Sequence, residues 1–175
     1  CCILANGLAG NEKITQPCPA YAAFRAALHH CTVKLSKMIA RDGEGATKLI
    51  ECNVRGARSV KMARGVAKAV IKSSLVKAAM FGSDANWGRV LCAIGYSGEP
   101  VDVNKIDVEF RSVKGTLPVC ENGSGVPFDE DFAKQVLSRD EIEINVDLKM
   151  GAYRASAWGC DLTYDYVKIN GDYRT

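Results

Sequence analysis

The stretch Glu141-Ile142-Glu143-Ile144-Asn145-Val146-Asp147-Leu148 indicates the fold more clearly than any other part of the chain. Apolar and polar side chains alternate along it, which is the period of a strand with one face buried and the other in water. The strand is predicted to run over Glu141–Met150, and Tyr153–Cys160, which follows through Gly151, is predicted to be its antiparallel partner. A sheet with one apolar face is therefore expected at the centre of the fold.

Further strands are predicted on both sides of this one. Ile50, Cys52 and Val54 alternate with polar residues, as expected for a half-buried strand. The short Lys114-Gly115 turn predicts a hairpin. The predicted strands are Cys1–Leu4, Lys48–Gly56, Val90–Tyr96, Ile106–Arg111 and Thr116–Cys120.

Helices are indicated by apolar residues at spacings of three and four. One begins near Pro19 and ends near Arg41, with Phe24, Leu28, Cys31, Leu35 and Met38 on one face. A second begins at Ser59, a suitable N-cap, with an inner face of Val60, Ala63, Ala67, Val70 and Ser74. Two shorter helices are predicted at Phe128–Ser138 and Leu162–Ile169.

These elements predict an α+β fold with layered, mainly antiparallel sheets and packed helices. We expect two α/β lobes, residues 1–97 and residues 98–175, and the second would carry a polar C-terminal tail. No stretch approaches the roughly 20 apolar residues that span a bilayer. The net charge of +3 does not favour a nucleic-acid partner.

The eight cysteines do not predict a disulfide framework. Cys31, Cys52 and Cys92 lie in apolar stretches, where free cysteine behaves as a small buried hydrophobe. Neither a CxxC spacing nor another usual metal-ligand pattern occurs, so no metal site is expected. This usage favours a reducing, cytoplasmic setting.

Three polar segments are candidates for a site. In Asp42-Gly43-Glu44-Gly45 a carboxylate could bind an ammonium group, but a solvated glycine-rich turn also fits. Gly82–Arg89 is either a structural corner or part of a site. The segment Asn170–Thr175 has the composition of a fraying tail.

Two other features suggest different functions. Lys61, Arg64, Lys68 and Lys72 form a basic stripe on the second helix, which is either a solvated face or a surface for an anionic partner. Cys1 is the first residue, and an N-terminal cysteine can act as a nucleophile with its own amine as base. Its apolar neighbours fit a strand better.

Three motifs together resemble the ornithine acetyltransferase family. They are Asp42–Lys48 (DGEGATK), Phe81–Arg89 (FGSDANWGR) and Asp161–Asn170 (DLTYDYVKIN) with the terminal Tyr173-Arg174-Thr175. Leu4–Gly7 and Ser73–Lys77 extend the resemblance nearly from end to end. Three long motifs in the same order make a specific signal.

The resemblance implies a layered α+β fold and a cytoplasmic enzyme of arginine biosynthesis. Members of this family cut themselves before a threonine, which becomes the nucleophile at the head of a β chain. It accepts acetyl from N-acetylornithine and passes it to glutamate, and some members also accept acetyl-CoA as donor. No resident cofactor is implied. The expected partners are the α chain and the remainder of the β chain, within a higher oligomer.

The resemblance also assigns candidate substrate-binding residues. Glu44 matches an acid that contacts substrate, and we expect it to hold the substrate's amino group. Asn170 and Thr175 match polar residues near the family's C-terminus that contact substrate. Gly82–Arg89 is expected to be architecture beside the site.

One departure from the family pattern limits this assignment. The run of the Ala-Thr-Met-Leu type that carries the nucleophilic threonine is absent, and so is the Thr-Gly of the oxyanion site. We therefore expect these 175 residues to be inactive alone, as the C-terminal part of a longer enzyme. Cys2, Ile3 and Leu4 would lack partner strands, so exposed apolar surface and self-association are expected.

Overall fold

In a computed structural model, which describes residues 2–173, the chain divides into two compact units, one up to Ile39 and one from Ala40 onward. The predicted division into residues 1–97 and 98–175 differs from this one. The predicted boundary after residue 97 lies inside the second unit. The single sheet of that unit takes strands from both predicted lobes.

The first unit consists mainly of helix α1 (Pro19–Arg41), whose predicted bounds are confirmed. None of its residues is buried, and Phe24 and Met38 are each 55% exposed. The predicted strand Cys1–Leu4 is wrong for residues 2–4, which form no strand, and Cys1 lies outside the described residues. A strand needs a hydrogen-bonded neighbour, and none is paired to this segment among residues 2–173.

The second unit contains six strands and five helices within its described residues. The strands are β1 (Leu49–Ala57), β2 (Asp107–Ser112), β3 (Gly115–Glu121), β4 (Ser124–Gly125), β5 (Glu141–Asp147) and β6 (Tyr153–Cys160). The helices are α2 (Val60–Lys72), α3 (Ser74–Phe81), α4 (Trp87–Gly95), α5 (Glu130–Leu137) and α6 (Tyr164–Asp172), with a 3-10 turn at Val103–Lys105.

The strands form one sheet in the order β4-β3-β2-β5-β1-β6. Only β1 and β5 run parallel, in register from Leu49 opposite Glu141 to Arg55 opposite Asp147. The other neighbours are antiparallel, including the predicted hairpin of β2 and β3. The α+β, mainly antiparallel fold is therefore confirmed.

One face of the sheet is apolar and covered by helices. Ile50, Cys52, Ile144 and Phe110 are almost completely buried on it. Helix α2 packs on β1 and β6, and α5 packs on β2 and β3.

The opposite face carries a ladder of polar side chains across four strands. Ser156 donates to Asn53, Asn53 to Asn145 and Asn145 to Glu109, over distances of 2.5, 3.1 and 3.1 Å.

The predicted strand Val90–Tyr96 is wrong, because the segment lies in helix α4. Val90, Ala93 and Ile94 are buried at the spacing of a helix, and the Asn86 side chain caps the first turn by accepting from Arg89 N at 3.2 Å. A short apolar run does not separate a buried strand from a buried helix.

Three smaller predictions also need correction. β6 has the predicted bounds, but its partner is β1 and not β5. Ser59 caps α2 as predicted, whereas Val60 is 44% exposed and Ser74 belongs to α3, so neither belongs to the inner face of α2. Cys31 and Cys92 are exposed, and only Cys52 of that group is buried.

Candidate functional site

Glu44 lies in the loop between α1 and β1, and its carboxylate meets Asn170 on α6. Asn170 Nδ2 donates to Glu44 Oε2 at 2.8 Å across a separation of 126 positions, and also to Tyr166 O at 2.9 Å. Both side chains are exposed, so a ligand can reach them. Of the three predicted site residues, the structure brings Glu44 and Asn170 together, and Thr175 lies outside the described residues.

The backbone of the Glu44 loop lies directly against the first turn of α6. Thr163 is the N-cap of α6; its hydroxyl donates to Gly45 O at 2.7 Å and accepts from Tyr166 N at 3.1 Å. Gly45 has a φ of +65°, and a Cβ there would lie only 2.8 Å from Tyr166 N. A glycine is needed at this position both for its backbone conformation and for the close approach.

A buried carboxylate holds the other side of the loop. Asp161 is 3% exposed, and it accepts from Thr47 N at 2.9 Å, Lys48 N at 3.0 Å and Thr47 Oγ1 at 2.5 Å. These bonds compensate a carboxylate that is expensive to bury without partners. Asp161 therefore joins the end of β6 to the start of β1.

Lys48 joins the same loop to the ends of two helices. Its ammonium donates to Met80 O at 2.6 Å, to Leu137 O at 2.8 Å and to Ser83 Oγ at 2.9 Å. Helix C-termini attract cations because their last carbonyls lack intrahelical partners. Burial lowers the pKa of this ammonium, and the carboxylates of Asp161 and Asp140 act in the opposite direction.

The Gly82–Arg89 segment packs beside these groups. Ser83, with a φ of +53°, contacts Lys48, and Asn86 starts α4. Phe81, just before the segment, meets Tyr164 of α6 edge to face with ring centroids 5.4 Å apart. These contacts agree with a structural corner next to the loop.

The alternative surfaces are exposed. The four basic residues Lys61, Arg64, Lys68 and Lys72 all lie on the solvent side of α2. Cys1 lies outside the described residues. Within residues 2–173, no cluster of three or more His, Cys, Asp or Glu side chains is arranged to hold a metal ion. Over the same residues, no helix combines the length and apolar character needed to cross a membrane.

Sequence reasoning missed the residues that support the site. Thr163 had a detectable signal, because threonine before a helical pattern is a common N-cap. Asp161 and Lys48 act through contacts between distant segments, which spacing does not reveal.

Comparison with known proteins gives consistent matches along the chain. The model of the ArgJ family matches residues 1–175. The arginine biosynthesis bifunctional protein ArgJ 1 of Clostridium acetobutylicum is 54% identical over 173 residues, which are 99% of this chain and 42% of that protein. The ArgJ protein of Caldanaerobacter subterraneus subsp. tengcongensis is 54% identical over 99% of this chain and 43% of its own length.

A solved structure supports the same assignment. The crystal structure of the arginine biosynthesis bifunctional protein ArgJ from Bacillus halodurans matches with a TM-score of 0.89 and 46% identity, over 95% of this chain and 77% of that one. The chain spans about two fifths of the length of the curated relatives it matches.

Proposed function

This chain belongs to the ArgJ family, and we propose that it forms the part of an arginine-biosynthesis acetyltransferase that grips the substrate's amino group. The reaction is transfer of acetyl from N-acetylornithine to glutamate, with acetyl-CoA as a possible second donor. Relatives that carry the words arginine biosynthesis in their names support the pathway.

The contact between Glu44 and Asn170 carries this proposal. A carboxylate and an amide that are 126 positions apart meet at 2.8 Å on the surface. The carboxylate accepts from an ammonium group, and the amide offers both a donor and an acceptor to the polar end of an amino acid. N-acetylornithine keeps a free side-chain amino group that takes no part in the transfer, so the Glu44 carboxylate can hold it throughout the first step. Glutamate's only amino group is the acetyl acceptor, so it has to stay available for attack in the second step. Thr175 would add a further polar contact.

The attacking group belongs to another part of the enzyme in this proposal. A hydroxyl nucleophile needs a base, and the amine of an N-terminal threonine provides one. The family's threonine run is absent from this sequence, so we expect acyl transfer to require the α chain and the remainder of the β chain. The assembly is expected to be a cytoplasmic higher oligomer, and the 175 residues alone are expected to be inactive.

Substitution of Glu44 in the full-length protein containing this sequence tests the proposal. The change Glu44→Gln keeps the shape and removes the charge, so the KM for N-acetylornithine should rise. A hydrogen bond to a charged group contributes about 1.5–3 kcal/mol, which corresponds to a rise of roughly 10- to 100-fold. Steady-state transfer of acetyl to glutamate is the assay.

Glu130→Gln is the matched control, since Glu130 is an exposed acid on α5. It should leave KM unchanged. Equal KM values for the unaltered protein, Glu44→Gln and Glu130→Gln would contradict the role of Glu44. Turnover by the 175-residue chain alone would contradict the expectation that acyl transfer requires the other parts of the enzyme.

The exposed basic face of α2 favours one other function, binding of an anionic partner without catalysis. Phosphate contacts by several cations weaken steeply as salt rises, whereas amino-acid binding by Glu44 should not follow such a slope. Titration with a polyanion such as heparin at low and high salt separates the two. If replacing Lys61, Arg64, Lys68 and Lys72 by neutral residues leaves the affinity for heparin unchanged, the second function is eliminated.

A further inference from the structure

The buried carboxylate of Asp161 is the charged group whose purpose the proposed chemistry does not explain. It directly follows β6 and makes no hydrogen bond to Glu44 or Asn170 among the bonds described, but it receives three hydrogen bonds from Thr47 and Lys48. The strand pairing of β1 and β6 already joins these segments. Because burying a charged group is energetically unfavourable, we expect Asp161 to have a role besides joining β1 to β6.

The bonds to Asp161 fix the end of the Glu44 loop. Thr47 and Lys48 are the last residues before β1, and with both of their N–H groups bound to one carboxylate oxygen the backbone there has little freedom. Two residues earlier, the carbonyl of Gly45 is bound by Thr163. The loop is thus held at positions 45, 47 and 48 by groups from one short segment, residues 161–163.

That same short segment also fixes the start of α6. Thr163 caps the helix through Tyr166 N, and Asn170 lies one turn further and donates to Tyr166 O. Residues 161–163 therefore contact both the loop that carries Glu44 and the first turn of the helix that carries Asn170. The 2.8 Å contact joins two elements that the same short segment holds.

We propose that Asp161 is a positioning residue for substrate binding, which holds the Glu44 loop against α6 so that Glu44 faces Asn170. This inference rests on the proposed function of that pair. Asp161 does not touch the substrate. Its loss lets the loop move away from α6, so that Glu44 no longer meets the substrate's amino group in the geometry that a charge-assisted hydrogen bond needs.

The test uses three variants of the full-length protein that contains this sequence. Asp161→Ala removes all three bonds. Asp161→Asn keeps an oxygen for the two backbone N–H groups and should recover most of the function. Thr47→Val removes only the hydroxyl donor from a residue that is exposed, so it should fold. The KM for N-acetylornithine should be highest for Asp161→Ala, lower for Thr47→Val and lowest for Asp161→Asn.

The expected rise in KM for Asp161→Ala is at most that for Glu44→Gln, roughly 10- to 100-fold, with a smaller change in kcat, because the contact that is weakened is the same bond to the substrate's amino group. Ser59→Ala is the stability control, because it removes the N-cap of α2 beyond the opposite end of β1. It should lower Tm without raising KM. A purely structural role for Asp161 predicts that KM stays flat for the Val and Asn variants and for any folded Ala variant.

The outcomes separate this inference from the proposed function. If Glu44→Gln raises KM while Asp161→Ala and Thr47→Val leave it unchanged, the positioning role is overturned and the function of the pair stands. If the unaltered protein transfers no acetyl from N-acetylornithine, both are overturned. Graded KM values across the three variants, with Ser59→Ala unchanged, support the positioning role.

Discussion

Replacing Lys48 by methionine should destabilise the second unit more than any exposed lysine replacement. The ammonium makes three hydrogen bonds of 2.6–2.9 Å to Met80 O, Leu137 O and Ser83 Oγ. Methionine fills a similar volume and donates none of them. Met80 O and Leu137 O, at the ends of α3 and α5, then lose their charged donor and keep only weaker contacts of 3.2 Å from Ser83.

The magnitude follows from the number of bonds and the cost of burying the charge. Three bonds to a charged group, at about 1.5 kcal/mol each, contribute roughly 4–5 kcal/mol. Burial, which lowers the pKa of Lys48, offsets part of this gain. We expect a net loss of about 3 kcal/mol, which corresponds to a fall in Tm of roughly 6–12 °C for a chain of this size.

Urea unfolding of the chain, followed by circular dichroism at 25 °C, measures this loss. Lys68→Met is the matched control, because Lys68 is exposed on α2 and surface changes of this kind stay within about 0.5 kcal/mol. A loss below about 1 kcal/mol for Lys48→Met, or a loss equal to the control, would refute the inference that this ammonium joins the two helix ends.

Three further changes test other parts of the structure. Burial pushes the pKa of the Asp107 carboxyl up, but hydrogen bonds from Lys149 and a backbone N–H outweigh it and lower the pKa; the stability that Asp107→Asn removes should therefore be fully present at neutral pH, begin to decline below about pH 4 and vanish only below the lowered folded pKa, as measured by urea titrations between about pH 7 and about pH 2. Gly45→Ala meets a φ of +65° and a backbone nitrogen at 2.8 Å, so calorimetry should give a loss of about 1–3 kcal/mol, whereas Gly95→Ala, with nothing within 4 Å, should be neutral. Asn86→Ala removes the cap of α4 and should cost about 1 kcal/mol in chemical denaturation; Asn86→Ser should recover most of this loss, whereas Asn86→Asp should recover less because its carboxylate would face Asp84, to which Asn86 donates at 3.1 Å.

Elements with a strong local pattern could be predicted from the sequence. β5 alternates over its whole length, α1 repeats its apolar residues at helical spacing, and Ser59 marks the start of α2; all three begin where the pattern predicts. The predicted strand Glu141–Met150 is too long at its end, because β5 stops at Asp147 and Lys149 has a φ of +50°. In β5 and α1 the period of the side chains is the signal, and in α2 a capping residue and the period of the buried side chains agree, so that local preference and packing favour the same structure.

Elements decided by distant contacts could not be predicted in the same way. β6 follows β5 closely in sequence, which suggests a hairpin of the two. In the sheet, however, β1 lies between them, and β6 pairs with β1. The run from Val90 is apolar enough for either a strand or a helix, and Asn86 decides for the helix. Glu44 and Asn170 were identified through a family resemblance, because nothing in their spacing predicts that they meet.

The separation of 126 positions between Glu44 and Asn170 has a consequence during synthesis. During synthesis Glu44 leaves the ribosome early. The Glu44–Asn170 contact cannot form until Asn170 has also left the exit tunnel and α6 has docked. Ordering a loop of this length adds an entropic cost that grows slowly with length, and such long-range contacts form late in folding. Under the proposed function, binding of the substrate's amino group should therefore appear only after α6 has docked, and products truncated before α6 should lack it.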